Sequence, residues 1–141
     1  MKTKVLNLAI EAIIALLLIL WIYTGLSKII HYDKFSFETA RSPFLHQLAP
    51  FIAVTLPAGE LIIAALLIYK RTRVVGLYVS LFLMTLFTGY VYIMLHYAYD
   101  LPCSCGGIIE LLTWEQHLVV NFLITLLTAF AILFTTLNPN K

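Results

Sequence analysis

The sequence predicts an all-α integral membrane protein, a single domain of residues 1–141 folded as a four-helix bundle with both termini cytoplasmic. Three observations carry that prediction. The chain is 62% hydrophobic and only 11% charged, whereas a soluble domain carries about 25% charged residues. Its mean hydropathy is +0.96. Its apolar residues collect in four runs, each near the roughly 20 residues a helix needs to cross a hydrocarbon core about 30 Å thick. Such a composition excludes a compact soluble enzyme, a nucleic-acid binder and a disordered tail, each of which needs a polar surface or a dense charge field. The lipid bilayer is the partner it dictates, and no nucleic acid is expected.

The runs cover about residues 5–30, 50–69, 74–97 and 117–137. All four read as helices, because lipid offers a spanning backbone no hydrogen-bond partner and the alternation of a closed barrel is absent. Lys2 and Lys4 ahead of the first run resemble the start of a secretory signal. A signal's apolar region is about 7–15 residues long and ends in small residues at a cleavage site. This run instead continues past Trp21 to Ser27-Lys28, so it reads as a retained span. The stretch 31–49 ends in Pro43 and Pro50 and mixes charge with Phe35, Phe37, Phe44 and Leu45, which places part of it in the membrane interface. Lys70-Arg71-Thr72-Arg73 is a tight turn that makes the second and third runs antiparallel neighbours. Thr113 and Gln116 form a T-x-x-Q capping box that starts the last helix near Trp114.

Orientation follows from basic residues in short loops, which stay on the cytoplasmic side. Lys2, Lys4, Lys70, Arg71, Arg73 and Lys141 fall on one side; Lys28, Lys34 and Arg41 fall on the other. The stretch 98–116, with Asp100, Glu110 and Glu115 and no Lys or Arg, therefore faces outward.

Both cysteines of the chain lie in that outward stretch, as Cys103-Ser104-Cys105 between Pro102 and Gly106-Gly107. Sulfurs at i and i+2 can be joined, but the small ring departs from relaxed disulfide geometry and is easily reduced. So short a loop gains little entropy from cross-linking, which argues against a purely structural bond. Thiol–disulfide exchange is the leading reading: one cysteine attacks a partner disulfide as thiolate and the other resolves the mixed disulfide. The nearby helix N-terminus favours thiolate to a modest degree. A metal or metalloid site remains open beside it, with His96 and His117 joining Cys103 and Cys105 in a four-ligand set, although the spacing matches no common zinc pattern. A small transporter or assembly subunit, its cysteines incidental, is the third reading.

Inside the apolar runs a few polar residues stand out. Glu60 lies near the middle of the second run, where an ionised carboxylate costs about 2.5–3.5 kcal/mol on insertion scales. It must face the bundle, protonated or paired, either as a proton acceptor or ligand contact or as a packing hydrogen bond to a Ser, Thr or Tyr. Glu11 sits near enough to the cytoplasmic face to snorkel. Tyr92, His96 and Tyr99 share a helical face, as do His117 and Asn121. The first set reads as an interfacial aromatic belt, with a stacked quinone as its alternative.

Gly25-Leu26-Ser27-Lys28 followed by Phe35, then Leu56-Pro57-Ala58-Gly59-Glu60, then Cys103-Ser104-Cys105-Gly106-Gly107 before the last run, resemble in order and spacing the MauE/DoxX superfamily of small four-helix membrane proteins. The likeness covers essentially the whole chain and is strongest to the redox-associated MauE-like members. It implies a multi-pass protein of the bacterial inner membrane that supports extracytoplasmic thiol metabolism, with a thioredoxin-fold or disulfide-containing protein as partner. Relatives of the DoxX type imply quinone chemistry. The positions carried over are Lys28, Glu60, Cys103 and Cys105.

Overall fold

The computed structural model describes residues 2–41, 46–97 and 114–137. Those residues form five helices: α1 (Lys2–Ile30), α2 (Tyr32–Arg41), α3 (Ala49–Ile68), α4 (Arg73–Tyr97) and α5 (Trp114–Leu137), with a 3₁₀ turn at His46–Leu48 leading into α3. Four of them, all but α2, are long and apolar enough to cross a membrane. The helices match the expected runs to within three residues at each end. Among the described residues there is no strand.

At 1.5 Å per residue, α3 is about 30 Å long and α1 well over 40 Å. The excess of α1 emerges at one end of the bundle, where Glu11 meets Arg73 at the start of α4. That end is closed by the turn 69–72. The Thr72 hydroxyl donates to the Leu66 carbonyl (2.9 Å) and Arg73 Nε to that of Leu67 (3.2 Å), so the last carbonyls of α3 are satisfied by the residues that leave it. The other end carries α2, the 3₁₀ turn and the facing ends of α4 and α5.

Helix α1 packs mainly on α3 and α4 mainly on α5, and the two antiparallel pairs are joined through α3 and α4. Small residues set the approach within the first pair. A Cβ added at Gly25 would lie 3.0 Å from the Leu61 side chain and 3.4 Å from the Pro57 carbonyl oxygen, so α1 and α3 come together where α1 lacks a side chain. Toward the turn end the interior is apolar: Ile13, Ile14, Leu17, Ile63, Ala64, Leu67, Leu77, Ala131 and Ile132 are all buried. Midway, Trp21 crosses from α1 to donate its indole N–H to Ser80 Oγ on α4 at 3.0 Å, and Thr88 and Thr125 face each other between α4 and α5 at 3.5 Å.

The stretch expected at the membrane interface is the amphipathic α2. It leaves α1 after a single residue, His31, whose amide still bonds the Ser27 carbonyl. Phe35 and Thr39 are buried, while Tyr32 and Phe37 face outward. Phe44, Leu45 and the cap residue Thr113 lie outside the described residues.

Candidate functional site

The buried charges lie in the half of the bundle nearer α2. Lys28, in the last turn of α1, and Glu60, in the middle of α3, are 4% and 0% exposed. Lys28 Nζ donates to Glu60 Oε1 at 2.8 Å and to Oε2 at 3.1 Å. Glu60 lies roughly 17 Å along α3 from Ala49 and roughly 12 Å from Ile68, well inside a bilayer-length helix. The two side chains meet because α1 and α3 are antiparallel. Each Cα–Cβ bond tilts toward its own helix N-terminus, so Lys28 leans back into the bundle and Glu60 leans toward the α2 end.

Groups from α1 itself, α2 and α5 lie around the ammonium. The Thr24 hydroxyl, one turn earlier on α1, donates to the Trp21 carbonyl at 3.4 Å and lies near the Glu60 carboxyl. From α2, the Phe35 ring centroid lies 5.7 Å from Lys28 Nζ, within cation–π range. From α5, His117 is buried and feels the Lys28 charge. Asn121, one turn further along α5, is buried with it, so the face they were expected to share is a buried one.

A pair in this setting has no net charge, which is how an ionised carboxylate is tolerated at such depth. The expected partner of Glu60, a hydroxyl on a neighbouring span, is supplied in part by Thr24; its main partner is Lys28. Lys28, counted from the sequence among the loop charges expected outside, is instead buried between the helices. The signal was present: a mid-span acid demands a counter-cation, and Lys28 is the basic residue still inside a run.

Other singled-out residues fall elsewhere. His96 is exposed on α4, stacked on Tyr92 with ring centroids 4.2 Å apart. Its Nδ1 lies 2.9 Å from the Tyr92 carbonyl, which can only accept, so Nδ1 is the donor. Glu11 is paired with Arg73 Nη1 at 3.0 Å. Cys103, Cys105 and Tyr99 lie outside the described residues. Among the described residues no group of three or more His, Cys, Asp or Glu side chains is placed to hold a metal ion.

Four apolar spans packed around a buried ion pair define a multi-pass helical membrane protein. The family model of the methylamine utilisation protein MauE matches residues 6–134, from the second turn of α1 to the last turns of α5. The chain belongs to the MauE family. No curated protein and no solved structure matches it.

Proposed function

We propose that this MauE-family protein is a membrane-embedded partner in thiol–disulfide exchange that supports maturation of a disulfide-containing extracytoplasmic protein. One observation carries the reading. Both cysteines of the chain lie two positions apart in the segment between α4 and α5, and that segment is anchored, at Tyr97 and Trp114, at the end of the bundle nearer the buried ion pair. Basic residues favour the same end as the outer one: six lie toward the turn end, against Lys34 and Arg41 toward α2.

The exchange balances without a further reactant. A partner thiolate attacks one sulfur of a Cys103–Cys105 disulfide, and the departing electron pair leaves on the other sulfur, which takes a proton. The partner's second thiol then attacks its own linked sulfur. The partner ends as disulfide and the loop as dithiol, with two electrons and two protons transferred. Read backwards, the same steps reduce a partner.

Cys103→Ser and Cys105→Ser are expected to accumulate a covalent adduct with the partner on non-reducing gels, dissolved by reductant. On intact cells, a membrane-impermeant thiol probe should label the wild-type chain more strongly after reduction. No adduct from either variant, together with cysteines the probe never reaches, would overturn the proposal.

A further inference from the structure

The charged residues of the chain are sorted between the two ends of the bundle more strictly than orientation in a membrane requires. By their place in the sequence, Lys2, Lys4, Lys70, Arg71, Arg73 and Lys141 belong to the turn end, with Glu11 as the acid there. To the end nearer α2 belong Asp33, Glu38 and Glu115, and with them Asp100 and Glu110 of the segment between α4 and α5, against Lys34 and Arg41. Orientation follows Lys and Arg, while acids contribute little to it, so the near exclusion of acids from the turn end serves something else. Glu11 itself is engaged, accepting from Arg73 Nη1 at 3.0 Å. Lys2, Lys4, Lys70 and Arg71 are exposed, and among the described residues none of the four meets a carboxylate.

The position of these cations along the bundle matches a lipid headgroup layer. The apolar interior reaches Ile13, Leu67 and Leu77, just short of the Glu11–Arg73 bond. Lys70 and Arg71 stand in the turn that leads to Arg73, and α1 carries Lys4 and Lys2 roughly 10 and 13 Å past Glu11. Val5, Leu8, Ile68 and Tyr69, close to them in the chain, are exposed as well. Cations interleaved with exposed apolar and aromatic side chains suit the boundary where acyl chains give way to phosphates. We propose that the turn end is a docking surface for anionic phospholipids: Lys2, Lys4, Lys70 and Arg71 meet the headgroup phosphates, and Val5, Leu8, Ile68 and Tyr69 meet the upper acyl chains. The Glu11–Arg73 pair, neutral as a whole, ties α1 to the start of α4 and so keeps both groups of cations on one surface. Charge complementarity selects the lipid, and no covalent bond is made or broken. The surface stands on described residues and does not depend on the cysteine reading.

The test is to incubate the detergent-solubilised full chain with mixed micelles of phosphatidylglycerol and phosphatidylcholine of identical acyl chains, and to quantify the lipid that co-elutes with it. Phosphatidylglycerol should be retained in preference. That preference should shrink as salt is raised toward 1 M, where charges act over only about 3 Å. Lys2→Gln, Lys4→Gln, Lys70→Gln and Arg71→Gln should each lower it roughly fivefold, whereas Lys70→Arg should keep it and Lys34→Gln, at the acidic end, should leave it unchanged. Glycerol phosphate, which has the charge without the chains, should not displace the retained lipid. The surface is overturned if both lipids are retained equally, if salt has no effect, or if the four glutamine variants keep the wild-type preference. It is overturned equally if Lys34→Gln lowers the preference as far as they do, or if glycerol phosphate displaces the lipid, which would mark a site for free phosphate esters. The salt series uses the unaltered sequence, so it decides the matter even where a variant fails to fold.

Discussion

Two ion pairs of the molecule are of nearly equal length and opposite circumstance. Lys28–Glu60 spans 2.8 Å with side chains 3% and 1% exposed; Arg73–Glu11 spans 3.0 Å with side chains 20% and 57% exposed. Each ties a residue of α1 to a neighbouring span, at opposite ends of the bundle. Beside the first lie Thr24 and His117, both buried. Below the second begins a core of aliphatic side chains. The lesson is that distance does not measure the strength or purpose of a charge pair. Water screens the second pair, and either partner could be lost with its neighbour simply solvated. Nothing replaces a lost partner in the first, so the pair acts as a unit and marks the half of the bundle where chemistry is to be sought.

Substitutions would break or sharpen that contrast, and their expected effects descend in a definite order. Glu60→Gln strands the Lys28 ammonium in the interior and should cost about 3–5 kcal/mol of stability, measured by denaturant titration of the detergent-solubilised chain. The double variant Lys28→Met with Glu60→Gln should recover most of that loss; a double variant as unstable as the single one would show that the ion pair is not its source.

Next in size is Ser80→Ala, which leaves the Trp21 indole N–H buried without its acceptor. About 1–3 kcal/mol is expected, and the tryptophan emission should shift as the hydrogen bond disappears. Of comparable size is Gly25→Ala, whose new methyl would sit 3.0 Å from the Leu61 side chain and press α1 away from α3. Overpacking of this kind costs about 1–3 kcal/mol. Gly59→Ala is its control, since nothing lies within 4 Å of that added carbon, and it should cost nothing measurable. Smallest of all is Arg73→Ala, expected to change stability by less than about 1 kcal/mol and by less still at high salt. A loss there matching that of Glu60→Gln would erase the distinction between the two ends.

Much of this arrangement was legible in advance. The four spans follow from run length and composition, because lipid leaves a spanning backbone only its own helix to bond with. The turn at 70–73 makes α3 and α4 neighbours, as expected, yet the larger interfaces are α1 with α3 and α4 with α5. Hydropathy does not distinguish these pairings, since every span presents similar apolar residues on all sides. The face shared by His117 and Asn121 followed from a spacing of four; that it is buried is a finding of the structure. Trp21 and Ser80, separated by 59 positions, carried no local signal of their bond.

The amino-acid order by itself determined that this is a membrane protein, how many spans it has and that Glu60 must face inward, because burial of apolar surface and the cost of an exposed peptide group depend only on local composition. Tertiary structure alone decided how Lys28 comes to meet Glu60. Lys28 lies 32 positions away across the α2 excursion, and the meeting requires α1 and α3 to run antiparallel, to approach closely at Gly25 and to hold Phe35 against the ammonium. A charge in lipid must find its counterpart somewhere, and only the packing of the helices specifies where.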